Sequence, residues 1–582
     1  MSLEDLKEKI FEKAYRHALE NAVKHGGKAQ LGPVMNKVLG EFPELRSRAR
    51  DIAQVISEII NKINSMTLEE QRKILEELYG GVRERVVEEK RLPPLPDVEN
   101  NYVVTRFAPN PDFVLHLGNA RPALLSYVYA HEVYKGKMIL RFEDTDPRIK
   151  RPLPEAYHLI KEDLRWLGIK WDEEYIQSLR LKIYYDVAKK LLERGGGYID
   201  LLSQDEFRKL KLERKPSPYR NNDPQKNLEL FDKMLSGHYE EGEAVLRVKT
   251  DLNYPDPSVI DWIAFRIIDT DKHPHPLVGS KYVVWPTYNF AAAVDDYLMK
   301  VTHIFRGREH YQNTIKQSFL YAHMNWRYPH VISHGRIKLE GFILSKSRIK
   351  SLLEKESERF RGYSDPRFGT LVSLRERGIL PEVVREVVLE TGIKSSDAVI
   401  TWDLIASQNR RKIDPVTRRI VFVEDPVKLY ITNLDKEECI DASYHPDNVS
   451  LGSRKLCVDN DEKGYFVYIQ RRDVLENKRF RLMEFANIEI TSESKDYYEG
   501  RIFSRDLLSA KEQKLQIIQW LGKNKINAIL NIPEGLKIMR RLGYVEESIL
   551  GLRDVIYQLI RVGFAKLDKI TEKRIYLLYM HK

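Results

Sequence analysis

The sequence has very little cysteine. Only Cys439 and Cys457 occur in 582 residues, so the chain cannot build a disulfide-rich scaffold or a four-thiolate zinc site. We expect two ordinary thiols. The histidines between residues 273 and 334 do not compensate, because their spacings match no zinc pattern and isolated histidines are more often structural. The sequence therefore predicts no zinc, and no metal ion held by protein side chains.

Long apolar runs and a strong excess of one charge are also missing. No apolar run approaches the roughly 18 residues that span a bilayer, and the first residues, MSLEDLKEKIFEK, lack the apolar core of a secretory signal. We therefore expect a cytoplasmic protein that does not contact a membrane. The formal net charge of +10 favours a polyanionic partner, but it is small for this length and decides nothing alone.

The length allows roughly three to five domains. In the first ninety residues apolar side chains recur at helical spacing, and Thr67 with Glu70 forms a capping-box pattern before a last helix that Gly80 and Gly81 would end. The pattern predicts a small helical domain, followed by a proline-rich linker at residues 91–100. The apolar positions are Leu6, Ile10, Ala14, Ala18 and Ala22, then Ile52, Val55, Ile56, Ile59, Ile60 and Ile63, then Ile74, Leu75 and Leu78.

A strand, helix, strand pattern comes next. Residues 102–107 are β-branched and aromatic, and a similar run at residues 137–142 begins about thirty residues later, which fits one right-handed βαβ unit. From about residue 400 the sequence changes to short β-rich runs, such as residues 419–423 and 463–468. Such runs with few helical patterns predict a barrel or a sandwich.

The turn after the first strand carries unusual residues. Pro109 and Pro111 stiffen it, Gly118 permits close backbone approach, and His116 and Asn119 can donate hydrogen bonds from the first helical turn. In an α/β sheet the ligand binds beyond the carboxyl ends of the strands, where helix N-termini present free amides. The stretch suits a nucleotide phosphate, although the tetrapeptide His-Leu-Gly-Asn alone is better explained as a capped helix with an incidental histidine.

Longer segments reverse that preference. RFAPNPDFVLHLGNARPALL from Arg106, with LRFEDTDP at residues 140–147, resembles the active-site sequence of class I aminoacyl-tRNA synthetases of the glutamyl and glutaminyl group, with HLGN in place of HIGH. GFILSKSRIK at residues 341–350 resembles their second signature, KMSKS, with ILSKS in its place. The two signatures stand in the order typical of that family.

The resemblance extends over roughly residues 100–582. Residues 365–379 resemble the family's DPR and LRRRGI segments, and residues 425–429 resemble the entry to the C-terminal domain of its archaeal, eukaryotic and glutaminyl members. A multidomain α/β and β fold is implied. Its parts are a helical N-terminal domain (1–95), two halves of a Rossmann-type catalytic domain (98–176 and 282–335), an acceptor-stem-binding insertion (177–281), a helical linking subdomain with the KMSKS-like loop (336–400) and anticodon-binding β-barrels (401–582).

The implied amino acid pocket favours glutamate over glutamine. The two are nearly isosteric, so charge must separate them, and a carboxylate needs an arginine fork that a neutral amide would leave uncompensated. By resemblance Arg106 is one such arginine and Arg306 is a second, at a position where glutaminyl enzymes have a small uncharged residue. Glu143 is expected to meet the substrate ammonium, and Tyr288 is expected to line the side-chain pocket.

Each of these residues also has a simpler explanation. Arg306 could pair with Asp295 or Asp296, because structural ion pairs are common. Glu143 could be a surface carboxylate, and Tyr288 could be ordinary core. Within one matched framework the functional interpretation is the stronger one for all of them.

Three positions depart from the family pattern. Ala292 stands where bacterial glutamyl enzymes have an asparagine. Asn119 replaces the second histidine of HIGH and keeps a donor but cannot be cationic, and Ile343 replaces the first lysine of KMSKS and removes one charge. The SKS triplet is intact, so we expect the chemistry to survive.

The implied reaction needs no general base, because the α-carboxylate of glutamate has a reference pKa of about 3.5 and attacks the α-phosphorus of ATP as an anion. The terminal ribose of tRNA then takes the glutamyl group from glutamyl-adenylate, and Mg²⁺ is expected to bridge the ATP phosphates. The implied catalytic residues are His116, Asn119, Ser345, Lys346 and Ser347. The implied ATP-binding residues are Ala108, Pro109, Asn110, His116, Gly118, Asn119 and Lys346.

RNA contacts are expected at two places. The basic and aromatic residues 214–220 lie in the implied insertion and could meet the acceptor end. In the implied barrels, residues 410–412 and 471–472 could meet the anticodon loop, although a charge run is more often a solvated face. The expected partner is tRNA(Glu); a non-discriminating enzyme would also use tRNA(Gln) and need a tRNA-dependent amidotransferase.

Three other functions stay open. A glutaminyl-tRNA synthetase is the nearest alternative, and Arg306 speaks against it. A catalytically silent tRNA-binding relative is the second, and the intact SKS triplet speaks against it. A small-molecule nucleotidyltransferase of the His-x-Gly-His type is the third, but it would leave the C-terminal β-rich region unexplained.

Overall fold

The computed structural model describes residues 3–24, 27–79 and 92–582, and the chain divides into two compact units, residues 1–91 and 92–582. The described part of the first unit consists of helices, which pack through the apolar positions that the spacing singled out, from Ile10 in the first helix to Ile63 in the third. Its α-helices are α1 Leu3–Lys24, α2 Leu31–Glu41, α3 Ala49–Asn64 and α4 Leu68–Tyr79.

The predicted capping box at the start of α4 is confirmed. Thr67 N donates to Glu70 Oε2 over 2.8 Å, and Glu70 N donates to Thr67 Oγ1 over 3.3 Å. Leu75 is buried, but Leu78 is exposed and does not belong to the core. The helix stop predicted at Gly80 and Gly81 lies outside the described residues.

The second unit begins with a three-stranded parallel sheet. The first strand has the predicted bounds, and it pairs in parallel with the second, as a βαβ unit requires. The elements are β1 Tyr102–Phe107, α5 Leu117–Tyr127, β2 Lys135–Phe142, α6 Pro154–Trp166 and β3 Glu173–Ile176. The strand order β1-β2-β3 carries the chain steadily away from β1.

A separate antiparallel sheet interrupts this pattern. Its four strands follow the order β4-β5-β6-β7 and have a core of their own around Tyr184, Phe231, Phe265 and Trp285. The elements are α7 Leu181–Glu193, β4 Gly197–Asp200, α8 Gln204–Leu212, α9 Pro224–Leu235, β5 Val245–Val248, β6 Ile263–Ile267 and β7 Val284–Pro286.

The chain then returns to the parallel sheet on the other side of β1. α10 Tyr288–Leu298, β8 His303–Gly307, α11 Tyr311–Met324 and β9 His330–His334 follow, with β8 and β9 parallel. Thr302, just before β8, donates its N–H to Val104 O of β1 over 2.9 Å. The strand order therefore reverses at β1, and such a switch point is where α/β sheets bind ligands.

A mainly helical segment links this sheet to the C-terminal strands. Its elements are β10 Ile337–Leu339, α12 Lys346–Lys355, α13 Leu371–Glu376, α14 Pro381–Glu390, β11 Ala398–Ile400 and α15 Trp402–Ile413. β10 and β11 pair in parallel. No described helix of the chain is long and apolar enough to cross a membrane.

The C-terminal region is β-rich, as predicted. Two large sheets have the orders β12-β26-β27-β28-β24-β25-β13 and β17-β18-β14-β21-β20-β19-β22, with β23 paired to β18. The elements are β12 Arg419–Ile420, β13 Phe422–Glu424, β14 Pro426–Ile431, β15 Cys439–Ser443, β16 Ser453–Cys457, β17 Asp459–Asp461, β18 Gly464–Gln470, α16 Arg471–Glu476, β19 Arg479–Leu482, β20 Asn487–Glu493, β21 Tyr497–Ser504, α17 Leu507–Glu512, β22 Gln516–Ile518, β23 Trp520–Leu521, β24 Lys525–Glu534, β25 Lys537–Glu546, β26 Ile556–Leu559, β27 Gly563–Ile570 and β28 Ile575–His581.

The β-rich run at residues 419–423 forms two strands. β12 pairs with β26 and β13 pairs with β25, so they occupy opposite ends of the seven-stranded sheet although only Val421 separates them. Val421 N donates to the buried carboxylate of Glu546 over 2.6 Å instead of joining a strand. This break nearly closes the sheet into a barrel.

The expectation of two ordinary thiols was wrong. Cys439 and Cys457 stand opposite each other in the β15–β16 hairpin, with a Cα–Cα distance of 4.0 Å, and form a disulfide. They are 18 positions apart in sequence, so only the hairpin register brings them together.

Candidate active site

A cavity of about 620 Å³ opens beyond the carboxyl ends of β1 and β8. These strands contribute Arg106 and Arg306, which the strand reversal at β1 brings together from positions 200 residues apart in the sequence. The predicted residues that line it are Arg106, Ala108, Pro109, Asn110, Asn119, Glu143, Tyr288 and Arg306. His116, Gly118, Ser345, Lys346 and Ser347 are not among its lining residues.

His116 caps the N-terminus of α5. The ring Nδ1 of His116 accepts a hydrogen bond from Gly118 N over 3.0 Å, and the backbone N–H of His116 donates to Asn119 Oδ1 over 3.1 Å. Burial lowers the pKa of His116 to about 4, so the imidazole is neutral at pH 7. Since Nδ1 is the acceptor, the ring proton lies on Nε2, which leaves Nε2–H of His116 and the amide of Asn119 as donors.

Gly118 is required by this cap. A Cβ at Gly118 would lie 2.8 Å from His116 Cε1, closer than real carbon contacts. The sequence analysis explained Gly118 by the close approach of a ligand. In the structure the imidazole of His116 makes part of that approach. Any side chain at position 118 would displace His116 from the helix N-terminus.

The SKS triplet stands at the start of α12. Ser345 precedes the helix, its Oγ lies 3.2 Å from Ser347 Oγ, and both side chains are exposed. Lys346 is half-buried and forms an ion pair with Asp112, a buried carboxylate in the segment before His116. Burial lowers the pKa of Lys346, and Asp112 opposes that shift.

A short extended segment connects the two signatures. Gly369 N donates to Ile343 O over 3.0 Å, and Leu117 N donates to Gly369 O over 3.1 Å. Thr370 makes a β-bridge to His116. Backbone hydrogen bonds thus hold the ILSKS segment beside the start of α5, although more than 220 residues of sequence lie between them.

Beneath the cavity lies a buried cluster of charges. Arg141 Nη1 donates to Asp296 Oδ1 over 2.8 Å and its Nη2 donates to Glu143 Oε1 over 2.9 Å. Arg106 Nε reaches the same Asp296 oxygen at 3.3 Å. Despite burial, which opposes ionisation, Arg141 and Arg106 hold the pKa of Asp296 below its ordinary value. Sequence reasoning missed Arg141; an arginine inside an apolar strand was the available signal.

Arg306 is different from its neighbours. It is 5% exposed, and its Nη1 donates to the neutral oxygens of Thr314 and Gln317, each over 3.2 Å. Its Nε and Nη2 are buried with no hydrogen-bond partner among the described residues. The alternative pairing with Asp295 or Asp296 is not observed within 4.0 Å: Asp295 pairs with Arg180, and Asp296 pairs with Arg106 and Arg141.

Glu143 and Tyr288 also differ from their simpler explanations. Glu143 is buried rather than on the surface, and burial raises its pKa although Arg141 and Arg106 oppose the shift. Tyr288 is half-buried at the cavity wall, 6.0 Å from the ring of His310, and burial raises its pKa. Burial and the charge of Arg306 lower the pKa of His310 to about 4.

The cavity has further polar walls that sequence reasoning did not find. Arg266, from the antiparallel sheet, forms an ion pair with Asp146 over 2.9 Å, and its Nε is buried without a described partner. Asn289 Oδ1 is likewise unpartnered. The other missed lining residues with polar side chains are Thr145, Lys150, Thr287, His310 and Asn313.

The arginines of the basic stretch at residues 214–220 form hydrogen bonds within the protein. Arg214 donates to the carbonyl oxygen of Tyr254, and Arg220 donates to Asp261 over 2.9 Å. A nearby group of cations was missed because its members are far apart in sequence: burial, Arg247 and Lys316 together lower the pKa of Lys211 to about 8.

The basic residues proposed for the barrels are exposed except for the half-buried Arg471, and some are paired. Lys412 donates to Glu386 over 2.8 Å, Arg471 lies 3.4 Å from Asp425, and Arg472 bonds Glu476 over 2.6 Å. Arg410 and Arg411 are exposed at the end of α15. These positions can meet RNA only at the surface.

Two family models match the chain. The catalytic domain of the class I tRNA synthetases (E and Q) matches residues 102–415, and the anti-codon binding domain of the same family matches residues 417–507. The first match alone covers more than half of the chain.

Curated relatives match over nearly the full length. A glutamate–tRNA ligase of Hyperthermus butylicus is 50% identical over 96% of this chain and 100% of its own. Those of Ignicoccus hospitalis and Aeropyrum pernix are 50% and 46% identical, over 98% and 97% of this chain and 100% and 98% of theirs. The chain therefore belongs to the class I aminoacyl-tRNA synthetases of the glutamyl and glutaminyl group.

Proposed function

We propose that this chain is a glutamate–tRNA ligase that forms glutamyl-adenylate from glutamate and ATP and transfers the glutamyl group to tRNA(Glu). The names of the full-length relatives support this activity. The observation that carries the choice of glutamate is Arg306, a buried guanidinium whose Nε and Nη2 have no described partner. A substrate carboxylate satisfies both donors and the charge, whereas an amide leaves the charge uncompensated.

The charges around the cavity support the same choice. Ion pairs join Arg106, Arg141 and Arg180 to Glu143, Asp295 and Asp296, three guanidinium groups against three carboxylates. Arg306 stands outside these pairs and bonds only neutral oxygens, so it adds one positive charge. The surplus positive charge lies in a buried region where an unpaired charge is costly. One bound side-chain carboxylate would neutralise it, while Glu143 would hold the substrate ammonium and Tyr288 would line the pocket.

In the first step, the formation of glutamyl-adenylate, the protein positions glutamate and ATP and stabilises the negative charge on the phosphates. The neutral Nε2–H of His116 and the amide of Asn119 would donate to phosphate oxygens, with Ala108, Pro109, Asn110 and Gly118 forming the backbone around ATP. Lys346 would leave Asp112 for the departing pyrophosphate, with Ser345 and Ser347 beside it.

Mg²⁺ would offset negative charge on the phosphates. Among the described residues, the single group of three side chains close enough to hold a metal is Glu437, Cys439 and Cys457, and these two cysteines are bonded to each other. We propose that the ion arrives with ATP, because Mg²⁺ is usually bound through substrate phosphates and one or two carboxylates.

The second step needs tRNA on an extended surface. We assign the acceptor stem to the insertion at residues 177–281 and the anticodon to the barrels at residues 401–582, with the catalytic halves at 98–176 and 282–335 and the SKS segment within 336–400. We also propose a cytoplasmic enzyme. If it charges tRNA(Gln) with glutamate, a tRNA-dependent amidotransferase must consume that product.

A charging assay tests the proposal. Purified protein, ATP and Mg²⁺ are incubated with glutamate or glutamine against transcripts of tRNA(Glu) and tRNA(Gln). Glutamate on tRNA(Glu) alone means a discriminating enzyme, and glutamate on both means a non-discriminating one. Glutamine charging would overturn the interpretation of Arg306, and tRNA binding without any charging would favour the silent relative.

A further inference from the structure

The anchoring of Arg306 deepens the proposed function. Gln317 on α11 is 0% exposed, and its Oε1 accepts from both Arg306 Nη1, over 3.2 Å, and the hydroxyl of Tyr328, over 2.6 Å. Thr314, one turn earlier on the same face of α11, accepts from the same Nη1 over 3.2 Å. A guanidinium only donates, so Arg306 fixes which end of the Gln317 amide faces it.

The groups that bond the three arginines differ in charge. Arg106 and Arg141 are both held by the carboxylate of Asp296, which offsets their charges within the protein. Arg306 is held by an amide and a hydroxyl oxygen, which fix Nη1 without adding negative charge. Nε and Nη2 stay open, and none of the described carboxylates pairs directly with this guanidinium.

We infer that Gln317, itself fixed by the Tyr328 hydroxyl, is a specificity-determining positioning residue that orients Arg306 for the substrate side-chain carboxylate and keeps its charge uncompensated. This inference rests on the proposed function. Gln317 does not contact the substrate in this role. An anionic residue at 317 would orient the guanidinium equally well but would compete with the substrate for its charge.

Replacing Gln317 by glutamate tests that distinction, because the size is nearly kept while a carboxylate is placed against Nη1. We expect Gln317→Glu to raise the KM for glutamate about tenfold or more and to narrow the preference for glutamate over glutamine by a similar factor. The KM values for ATP and tRNA and the kcat at saturating glutamate should change little. Ala322→Glu adds the same charge at an exposed position of α11 and should leave all these values unchanged.

Tyr328→Phe provides an independent test that does not depend on tolerating a new buried charge. It removes only the hydroxyl that fixes Gln317, so we expect a smaller rise in the KM for glutamate, about threefold, again without a change in the KM for ATP. Thermal unfolding of each variant separates this effect from misfolding.

The outcomes distinguish the two claims. Failure of the unmodified protein to charge tRNA with glutamate would overturn the proposed function. Normal charging, together with an unchanged KM for glutamate and unchanged discrimination in Gln317→Glu and Tyr328→Phe, would overturn the inference alone. If Gln317→Glu does not fold, the result for Tyr328→Phe decides.

Discussion

Two buried arginines, one in the C-terminal region and one at the cavity, have opposite hydrogen-bond states. Arg454 of β16 is 8% exposed, and its Nε and Nη2 donate to Glu546 over 2.9 and 2.7 Å. Its Nη1 donates to the carbonyl of Ala442 over 3.0 Å. Arg306 is equally buried, but two of its nitrogens have no described partner. The saturated charge of Arg454 supports the fold, whereas the open donors of Arg306 lie at the cavity wall, where a ligand can reach them.

The largest expected effect is on stability, at Arg454. Arg454→Met leaves the carboxylate of Glu546 buried without its cation, which should lower the free energy of unfolding of the barrel region by about 3–5 kcal/mol. Urea unfolding measures it. In the double variant Arg454→Met with Glu546→Gln much of the loss should return, because no unpaired charge is left. A loss of only about 0.5 kcal/mol, as at ordinary surface sites, would contradict the assignment of Arg454 as a structural residue.

Arg306 should show the reverse behaviour. Arg306→Gln should lower kcat/KM for glutamate about 10²–10³-fold, because a buried charge pair with the substrate is lost, while the unfolding midpoint stays level or rises. Steady-state charging and thermal unfolding measure the two effects. Arg327→Gln, at an exposed arginine that pairs with Glu99, is the control. Unimpaired glutamate charging by Arg306→Gln would refute the idea that its open donors serve the substrate.

Asp112 tests an intermediate case, a half-buried pair that is broken during the reaction cycle. If Asp112 competes with phosphate for Lys346, Asp112→Asn should lower the KM for ATP about threefold to tenfold, which corresponds to a pair of modest strength. Lys346→Met should instead abolish most charging. An unchanged or higher KM for ATP in Asp112→Asn would mean that the pair does not restrain Lys346.

The last prediction concerns His116 and the pH dependence of stability. Its folded pKa of about 4 lies below the ordinary 6.5, so the unfolded chain binds more protons between these values. The contribution of His116 to stability therefore falls as the pH drops from about 6.5 towards 4. His116→Asn keeps a good N-cap acceptor and removes this contribution, so the variant should lose less stability than the unmodified protein between pH 7 and pH 5. Urea unfolding at both values, with equal losses in the two proteins, would count against the low pKa.

Local patterns predicted the local structure well. The bounds of β1, the parallel pairing of β1 with β2, and the capping box at Thr67 and Glu70 were all predicted, because each depends on residues close in sequence. Local patterns indicated β structure at residues 419–423 but not the division into two strands at Val421, whose N–H bonds the buried carboxylate of Glu546. They failed at the two cysteines, where the hairpin register decides the pairing. The domain bounds and the roles of the site residues stay predictions.

The sequence by itself determined the family, since the two signatures and the segments after them are contiguous strings that can be matched without a fold. It also named most side chains that line the cavity. Only the tertiary structure decided which of their charges are paired within the protein and which keep donors without a hydrogen-bond partner. The pairing of Arg106 with Asp296 joins residues 190 positions apart, and Arg141 between them was missed. Arg306 meets neutral oxygens instead because α11 packs against β8. Burial and pairing are properties of long-range contacts, and these fix the charge that a site offers its substrate.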